Sequence, residues 1–416
     1  MSLLLKNALV IDLHSPYHNK KKDIFIENGR VKSFGKTTSK KVIDCTGKIV
    51  TPGWFDLNAN FCDPGFEFKE DLRSGSKAAS CGGFTDVNLV PMTDPSILTK
   101  SDVEYIRNKE FPEVDLHVSG AVSQNRDGVN LTEMIDLYRS GVESFSEGDR
   151  PISNTKLLLK ALQYTSQLDV SIFQNARDAH LSESAQMHEG ILSTRLGLKG
   201  EPSLSEELII ARDLGILEYS GGRIHFSKIS SAGSVDLIRK AKKKKLKVTC
   251  DVSVHHLLFT DSALQDFDST FKVLPPFRSE SDRIALLKGV KDGTVDAICS
   301  DHRPQDLESK KLEFDLADTG AISLQTFLPA LLKVEEVPLE VLIDKITNGP
   351  RRVLGLEAIC IKKDAEAKLT IFDTKLEWRF DKKTNVSKSV NSPFWEENLT
   401  GKVTGTVNGQ TISIFD

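Results

Sequence analysis

Cysteine is scarce and scattered: only Cys45, Cys62, Cys81, Cys250, Cys299 and Cys360 occur in 416 residues, and no two form a CxxC pair. In a chain this long that argues against a disulfide framework and reads as reduced thiols in the cytoplasm. Neither sign of charge dominates, since 55 Lys+Arg against 59 Asp+Glu give a net charge of -4. Such a balance leaves no basic field for nucleic-acid phosphates. No uncharged apolar run reaches the roughly 20 residues needed to cross a bilayer. The first fifteen residues alternate Leu and Val with Lys and Asp, and lack a signal-peptide core and cleavage site. A cytoplasmic protein that binds neither membrane nor nucleic acid is therefore expected. The 39% of hydrophobic residues and the interspersed charges argue against disorder, and the length suits a large domain with a smaller one attached.

What is present changes texture along the chain. Short strand-like runs fill 3–12, 23–27, 30–34 and 41–44, with Asn28-Gly29 as a hairpin signal. The C-terminal end returns to the same texture at 368–373 and 401–415, with Asn408-Gly409 as a second hairpin signal. Two β-rich ends predict one small β domain built from residues 1–50 and 366–416. Between them, apolar runs at 49–60, 84–90, 114–122, 141–146, 170–175, 223–229, 247–252 and 295–300 alternate with helical patterns such as 205–217 and 234–245. Strands alternating with helices imply a parallel sheet. About eight such units over some 300 residues predict an α/β fold of the (β/α)₈ TIM-like kind spanning 51–365. No GxGxxG follows the first strand of that region, which disfavours an open dinucleotide-binding sheet. The lysine run from Lys242 to Lys245 closes a predicted helix, where cations suit the helix dipole.

Chemistry in such barrels sits at the C-terminal strand ends. The first of these reads Asp56-Leu57-Asn58-Ala59-Asn60-Phe61-Cys62. Strand periodicity puts Asn58 and Asn60 on the same inward face, yet neutral amides are poor ligands for a catalytic divalent metal. The fourth strand ends at Ser146-Glu147-Gly148-Asp149, the fifth at Gln174-Asn175, the sixth at Ser227-Lys228, and the eighth at Ser300-Asp301-His302-Arg303-Pro304.

From Leu4 to the C-terminus the sequence resembles the dihydroorotases of the amidohydrolase superfamily, in the class found in multifunctional or aspartate carbamoyltransferase-associated forms. The resemblance is carried by Thr51-Pro52-Gly53-Trp54-Phe55-Asp56, Asp63-Pro64-Gly65, Gly82-Gly83-Phe84-Thr85, Ser203-Leu204-Ser205-Glu206-Glu207, Ser231-Ala232-Gly233-Ser234, His255-His256-Leu257-Leu258, Asp292-Gly293-Thr294, Asp301-His302 and Asn391-Ser392-Pro393-Phe394. It implies an amidohydrolase barrel and, in active members, reversible closure of N-carbamoyl-L-aspartate to dihydroorotate. In those members zinc generates the hydroxide and an aspartate after the eighth strand shuttles the proton.

Carried over residue by residue, the resemblance implies a degenerate site. The family's His-x-His metal pair falls on Asn58 and Asn60, and the arginine that holds the substrate carboxylate falls on Cys62. The aspartate ligand falls on Gly148, unless Asp149 has shifted to replace it. The remaining histidine ligands fall on Asn175 and Lys228. In the family's Lys-Val-Asn-Pro-Pro segment, a substrate-contacting asparagine becomes Leu274. The Asp-His-Ala-Pro-His segment keeps Asp301 and has Gln305 at its second histidine. A substrate-binding asparagine falls on Met92 or Asp94. Only Asp301, the family's proton shuttle, survives.

The expected protein is therefore a pseudoenzyme of pyrimidine biosynthesis with no cofactor, zinc being the metal of active members. It is expected to be a homo-oligomer and a structural or regulatory companion of aspartate carbamoyltransferase. The alternatives are an active dihydroorotase or other cyclic amidohydrolase with an atypical site, and an interaction protein like the neuronal dihydropyrimidinase-like proteins. His225, His255, His256 and His302 are read as packing groups and Cys62 as a filler. Lys228 and Asp301 are expected to pair in the place of the metal, with Asn58, Asn60 or Asn175 completing the hydrogen bonds.

Overall fold

The computed structural model describes residues 2–35 and 37–415. Strands β1 (Ser2–Val10), β2 (Lys20–Glu27), β3 (Arg30–Phe34), β4 (Lys41–Asp44) and β5 (Ile49–Pro52) come from the N-terminal part. β1 pairs antiparallel with β2 and parallel with β4 and β5. The turn from β2 to β3 has Asn28 at φ 50° and Gly29 at φ 73°, the left-handed pair that a tight hairpin requires.

The barrel follows as β6 (Trp54–Ala59), β7 (Phe84–Leu89), β8 (Asp115–Ala121), β9 (Ser144–Ser146) and β10 (Ser171–Gln174). A two-stranded excursion, β11 (Met187–His188) and β12 (Gly200–Glu201), precedes β13 (Ile224–Phe226), β14 (Val248–Ser253) and β15 (Ala297–Cys299). The eight barrel strands are ordered in sequence, each parallel to the next. Closure comes just past the strand ends, where Ala59 bridges His302 and the Asn60 amide donates to the His302 carbonyl at 3.0 Å. The fold is the expected TIM-like barrel.

The chain then returns to the first sheet. β16 (Lys368–Arg379) pairs antiparallel with β5 and β17 (Asn398–Asn408), and β17 turns at Asn408-Gly409 into β18 (Thr411–Ile414). Both termini thus build one sheet beside the barrel.

One expected strand is two. The run 49–60 breaks at Gly53, where a Cβ would lie 2.2 Å from Thr85 Oγ1. Ahead of this close approach, Thr51 and Pro52 pair with Thr370 and Leu369 in the terminal sheet. Behind it, Trp54 is fully buried and meets Phe84 and Phe372 at ring distances of 5.9 and 5.5 Å, clamping barrel to sheet.

Helices on the outside follow local rules. Leu204–Ser220 covers the expected 205–217, while Ala232–Lys243 starts two residues before the expected 234–245 and ends two before its close, with Lys244 as the C-cap. In the second, the Ser231 side chain accepts from the Ser234 amide at 3.1 Å as an N-cap, and lysines occupy the last turn. Inside the barrel Phe55, Leu57, Phe173, Ala297 and Cys299 form a buried cluster with Val353 and Leu354 of helix Asn348–Leu354. Among the described residues no helix is long and apolar enough to cross a membrane.

Candidate active-site pocket at the barrel mouth

Beyond the last residues of β13 and β15, Lys228 and Asp301 adopt left-handed backbone conformations, with φ of 55° and 52°. Such torsions are uncommon for residues with a side chain and concentrate at functional sites. Here the two side chains meet. Lys228 Nζ donates to Asp301 Oδ1 at 2.8 Å, with the side chains only 2% and 6% exposed. Arg303 Nε donates to the same oxygen at 3.1 Å, and Lys228 Nζ also donates to the Leu274 carbonyl at 2.9 Å. Burial works to raise the Asp301 pKa, but Lys228 and then Arg303 hold it below the ordinary aspartate value. The expected pair is present. Its helpers are the Leu274 carbonyl and Arg303, and none of the three asparagines donates to Asp301.

Asn58 and Asn60, expected on one face, part company. The Asn58 side chain turns to Asp251, donating to Oδ2 at 2.9 Å; His225 Nε2 lies 3.1 Å from the same oxygen, and the Lys228 amide donates to Oδ1 at 2.5 Å. Asn60 instead lines the pocket, its Oδ1 accepting from the Cys62 amide at 3.0 Å. Cys62 lies outside the pocket lining, buried at φ 60°, and burial pushes its thiol up to about 12. A neutral buried thiol can neither clamp a carboxylate nor attack as a nucleophile.

At the fourth strand, Gly148 has φ 67°, and a Cβ there would meet Met92 Cγ at 2.5 Å. Asp149 lines the pocket, but Arg126 Nη2 holds its carboxylate at 2.6 Å, while Asn175 Nδ2 donates to its main-chain oxygen at 3.0 Å. Asp149 therefore offers no substitute ligand beside Asp301. Met92, Leu274 and Gln305 line the pocket together with Asn60, Lys228 and Asp301. Asp94 is exposed outside the lining, its amide donating to the Pro64 carbonyl at 3.0 Å. Gln305 fastens the loop after β15, donating to the Thr319 carbonyl at 2.8 Å and accepting from Lys69 at 2.6 Å. The pocket has a volume of about 70 Å³, well below the ~300–1,000 Å³ usual for a ligand site.

A family model described as Dihydro-orotase-like matches residues 47–234. Over almost the whole length, the dihydroorotase of Geotalea daltonii is 37% identical across 416 residues, covering 98% of this chain and 98% of its own. That of Geobacter metallireducens is 37% identical across 418 residues, again covering 98% of each. This chain belongs to the dihydroorotase family. The fold also superimposes on L-hydantoinase (dihydropyrimidinase) from Arthrobacter aurescens with a TM-score of 0.87, covering 100% of this chain and 97% of that one. At 20% identity that likeness is one of fold.

Zinc in dihydroorotases, as in other hydrolases, needs a shell of imidazole, thiolate or carboxylate donors. This dihydroorotase-family chain offers at its pocket two carboxylates already taken by cations, Asp301 by Lys228 and Arg303 and Asp149 by Arg126, together with amides, an ammonium and a guanidinium. That donor set does not fit the metal. Among the described residues no three His, Cys, Asp or Glu side chains gather as a ligand group. His255 and His256 are fully buried, and desolvation pushes both down to about 4, so they stay neutral in the core. His302 Nδ1 accepts from the Ser323 amide at 3.2 Å, and its Nε2 lies 3.5 Å from Glu70. Sequence reasoning passed over Arg303, Asp251 and Arg126. For Arg303 the signal lay in the sequence, an arginine where the resemblance implies alanine.

Proposed function

We propose that this chain serves pyrimidine biosynthesis as a non-hydrolytic member of the dihydroorotase family, a structural or regulatory companion of aspartate carbamoyltransferase. The Lys228–Asp301 pair is the observation that carries the reading. Cyclising N-carbamoyl-L-aspartate, or reopening the product, needs a group that exchanges a proton near neutral pH. Asp301, held ionised by Lys228 and Arg303, is a weak base whose acid form is suppressed. A metal-bound water reaches a pKa near 7 only within a proper ligand shell, and amides and an ammonium do not make one. The position of the substrate clamp holds the buried thiol of Cys62.

Retention of the entire scaffold without this machinery supports a role in assembly, as a homo-oligomer that associates with aspartate carbamoyltransferase. Co-expression of the two proteins followed by size-exclusion chromatography tests it. Co-migration with altered carbamoyltransferase kinetics is the expected result. Independent migration with unchanged kinetics would overturn the companion role.

A second reading has its own support. Identity of 37% along the full length of proteins named dihydroorotase favours an active dihydroorotase, or another cyclic amidohydrolase, with an atypical site. Zinc-dependent turnover separates the two.

A further inference from the structure

The pocket between β13 and β15 carries hydrogen-bond donors that the protein itself does not use. Arg303 spends Nε on Asp301, while its Nη2 is buried without an acceptor. A guanidinium donor left unsatisfied in the interior is unfavourable and calls for an explanation. Asn60 commits its side-chain oxygen to the Cys62 amide, and among the described residues nothing accepts from its Nδ2. Lys228 has three ammonium hydrogens and uses two, on Asp301 and the Leu274 carbonyl. All three residues line the same small cavity.

Charge points the same way. Among the side chains that line the pocket, Lys228 and Arg303 share the carboxylate of Asp301, leaving one surplus positive charge there. Arg126 and Asp149 cancel each other at the rim, and the Asp251 carboxylate, outside the lining, is taken up by Asn58, His225 and the Lys228 amide. One acceptor also remains, because Asp301 Oδ2 receives no donor from any described residue. An occupant must therefore carry a single negative charge, offer oxygens to Arg303, Lys228 and Asn60, and present one hydroxyl proton to Asp301. A cavity of about 70 Å³ admits only a few heavy atoms.

We propose that this pocket binds a small hydroxyl-bearing oxyanion of the bicarbonate type, with Arg303 as its principal anchor. Its oxygens meet Arg303, Asn60 and the third Lys228 hydrogen, and its hydroxyl donates to Asp301 Oδ2. The site rests on the non-hydrolytic reading, since a metal held by Asp301 would displace Lys228. It uses an arginine at a position where the family motif has alanine, in place of the clamp lost at Cys62.

The test is calorimetric titration of the purified full-length protein at pH 8 with bicarbonate, formate and inorganic phosphate, with zinc content measured on the same samples. Formate has the charge without the hydroxyl, and phosphate is larger. Bicarbonate is expected to bind saturably at one site per chain, at least tenfold more tightly than either competitor. Arg303→Ala and Asn60→Leu should each weaken it at least tenfold while leaving the circular dichroism unchanged. Asn60→Leu keeps the comparison open if the arginine variant folds poorly. Absence of saturable binding, equal affinity for formate, or binding that survives Arg303→Ala would overturn the proposal. Stoichiometric zinc would instead sink the non-hydrolytic reading on which it stands.

Discussion

Lys228 and Asp301 neutralise each other inside the barrel mouth, 73 residues apart in sequence and 2.8 Å apart in space. Arg303 shares the same carboxylate oxygen. A buried carboxylate without a cation is costly, so a chain that loses a metal beside Asp301 must supply charge from elsewhere. Lysine does this on a flexible stem, and arginine adds a planar fork.

Removing one partner should therefore cost more than removing both. Lys228→Met leaves Asp301 to Arg303 alone, and urea unfolding is expected to show a loss of about 3 kcal/mol. The double variant Lys228→Met with Asp301→Leu, which also frees Arg303, should recover part of that loss. The pH dependence has a fixed sign. Because the folded Asp301 pKa is depressed, its contribution is complete above the ordinary aspartate value of about 4. It is lost as pH falls through the lower folded value. Wild-type protein should lose more stability below pH 4 than the double variant. An equal loss would show that the pair contributes nothing.

A second pH-sensitive network lies where β7 and β8 pair. His117 sits with its ring nitrogens 3.1 Å from Asp86 and 2.6 Å from Glu143. Burial opposes its protonation, but the two carboxylates prevail and raise it to about 9. Asp86 is itself bound by Lys368 and Arg351, both at 2.8 Å. A raised histidine pKa stabilises fully below its unfolded value near 6.5, and that contribution disappears as pH rises through about 9. Urea midpoints of wild type should fall between pH 6.5 and 9. His117→Gln should start lower and lose less over the same interval.

Two lysines strap the loop after β15 over the pocket. Lys272 donates to the carbonyls of Phe314, Asp315 and Ala317 at 2.7, 3.1 and 2.7 Å. Lys310 reaches Ser269, Asp318 and Gly320 at 2.5, 2.8 and 3.2 Å. Lys272→Met removes three donors at once and is expected to destabilise by about 2 kcal/mol. Hydrogen exchange should accelerate across residues 306–320 and leave the barrel strands unchanged. Uniform acceleration everywhere would mean that the strap is not a local device.

Most of the fold was legible because its signals are local. Alternating apolar runs marked the barrel strands, and Asn28-Gly29 and Asn408-Gly409 marked the hairpins of the terminal sheet. The break at Gly53 was not legible, since the run through it is continuous and the reason for it, the approach of Thr85, is tertiary. At the barrel mouth, the residues at 58, 60, 148, 175 and 228 could be set against the motifs that the resemblance implies, and the pairing of Lys228 and Asp301 followed from that comparison. The partners of that pair escaped notice for a physical reason. A main-chain oxygen such as that of Leu274 has no residue-type signature, and the side chain of Arg303 reaches Asp301 only through the turn after β15.

The most direct test of the account is dihydroorotase turnover in both directions, with and without added zinc. It should use protein purified from a host lacking its own dihydroorotase, with bound zinc measured on the same sample. Background rates and substoichiometric zinc are expected. Asn58→His with Asn60→His should change neither, because Cys62, Gly148, Asn175 and Lys228 still supply neither the clamp nor the remaining ligands that the resemblance implies. Robust turnover by the unmodified chain, abolished by a chelator and restored by zinc, would contradict the account.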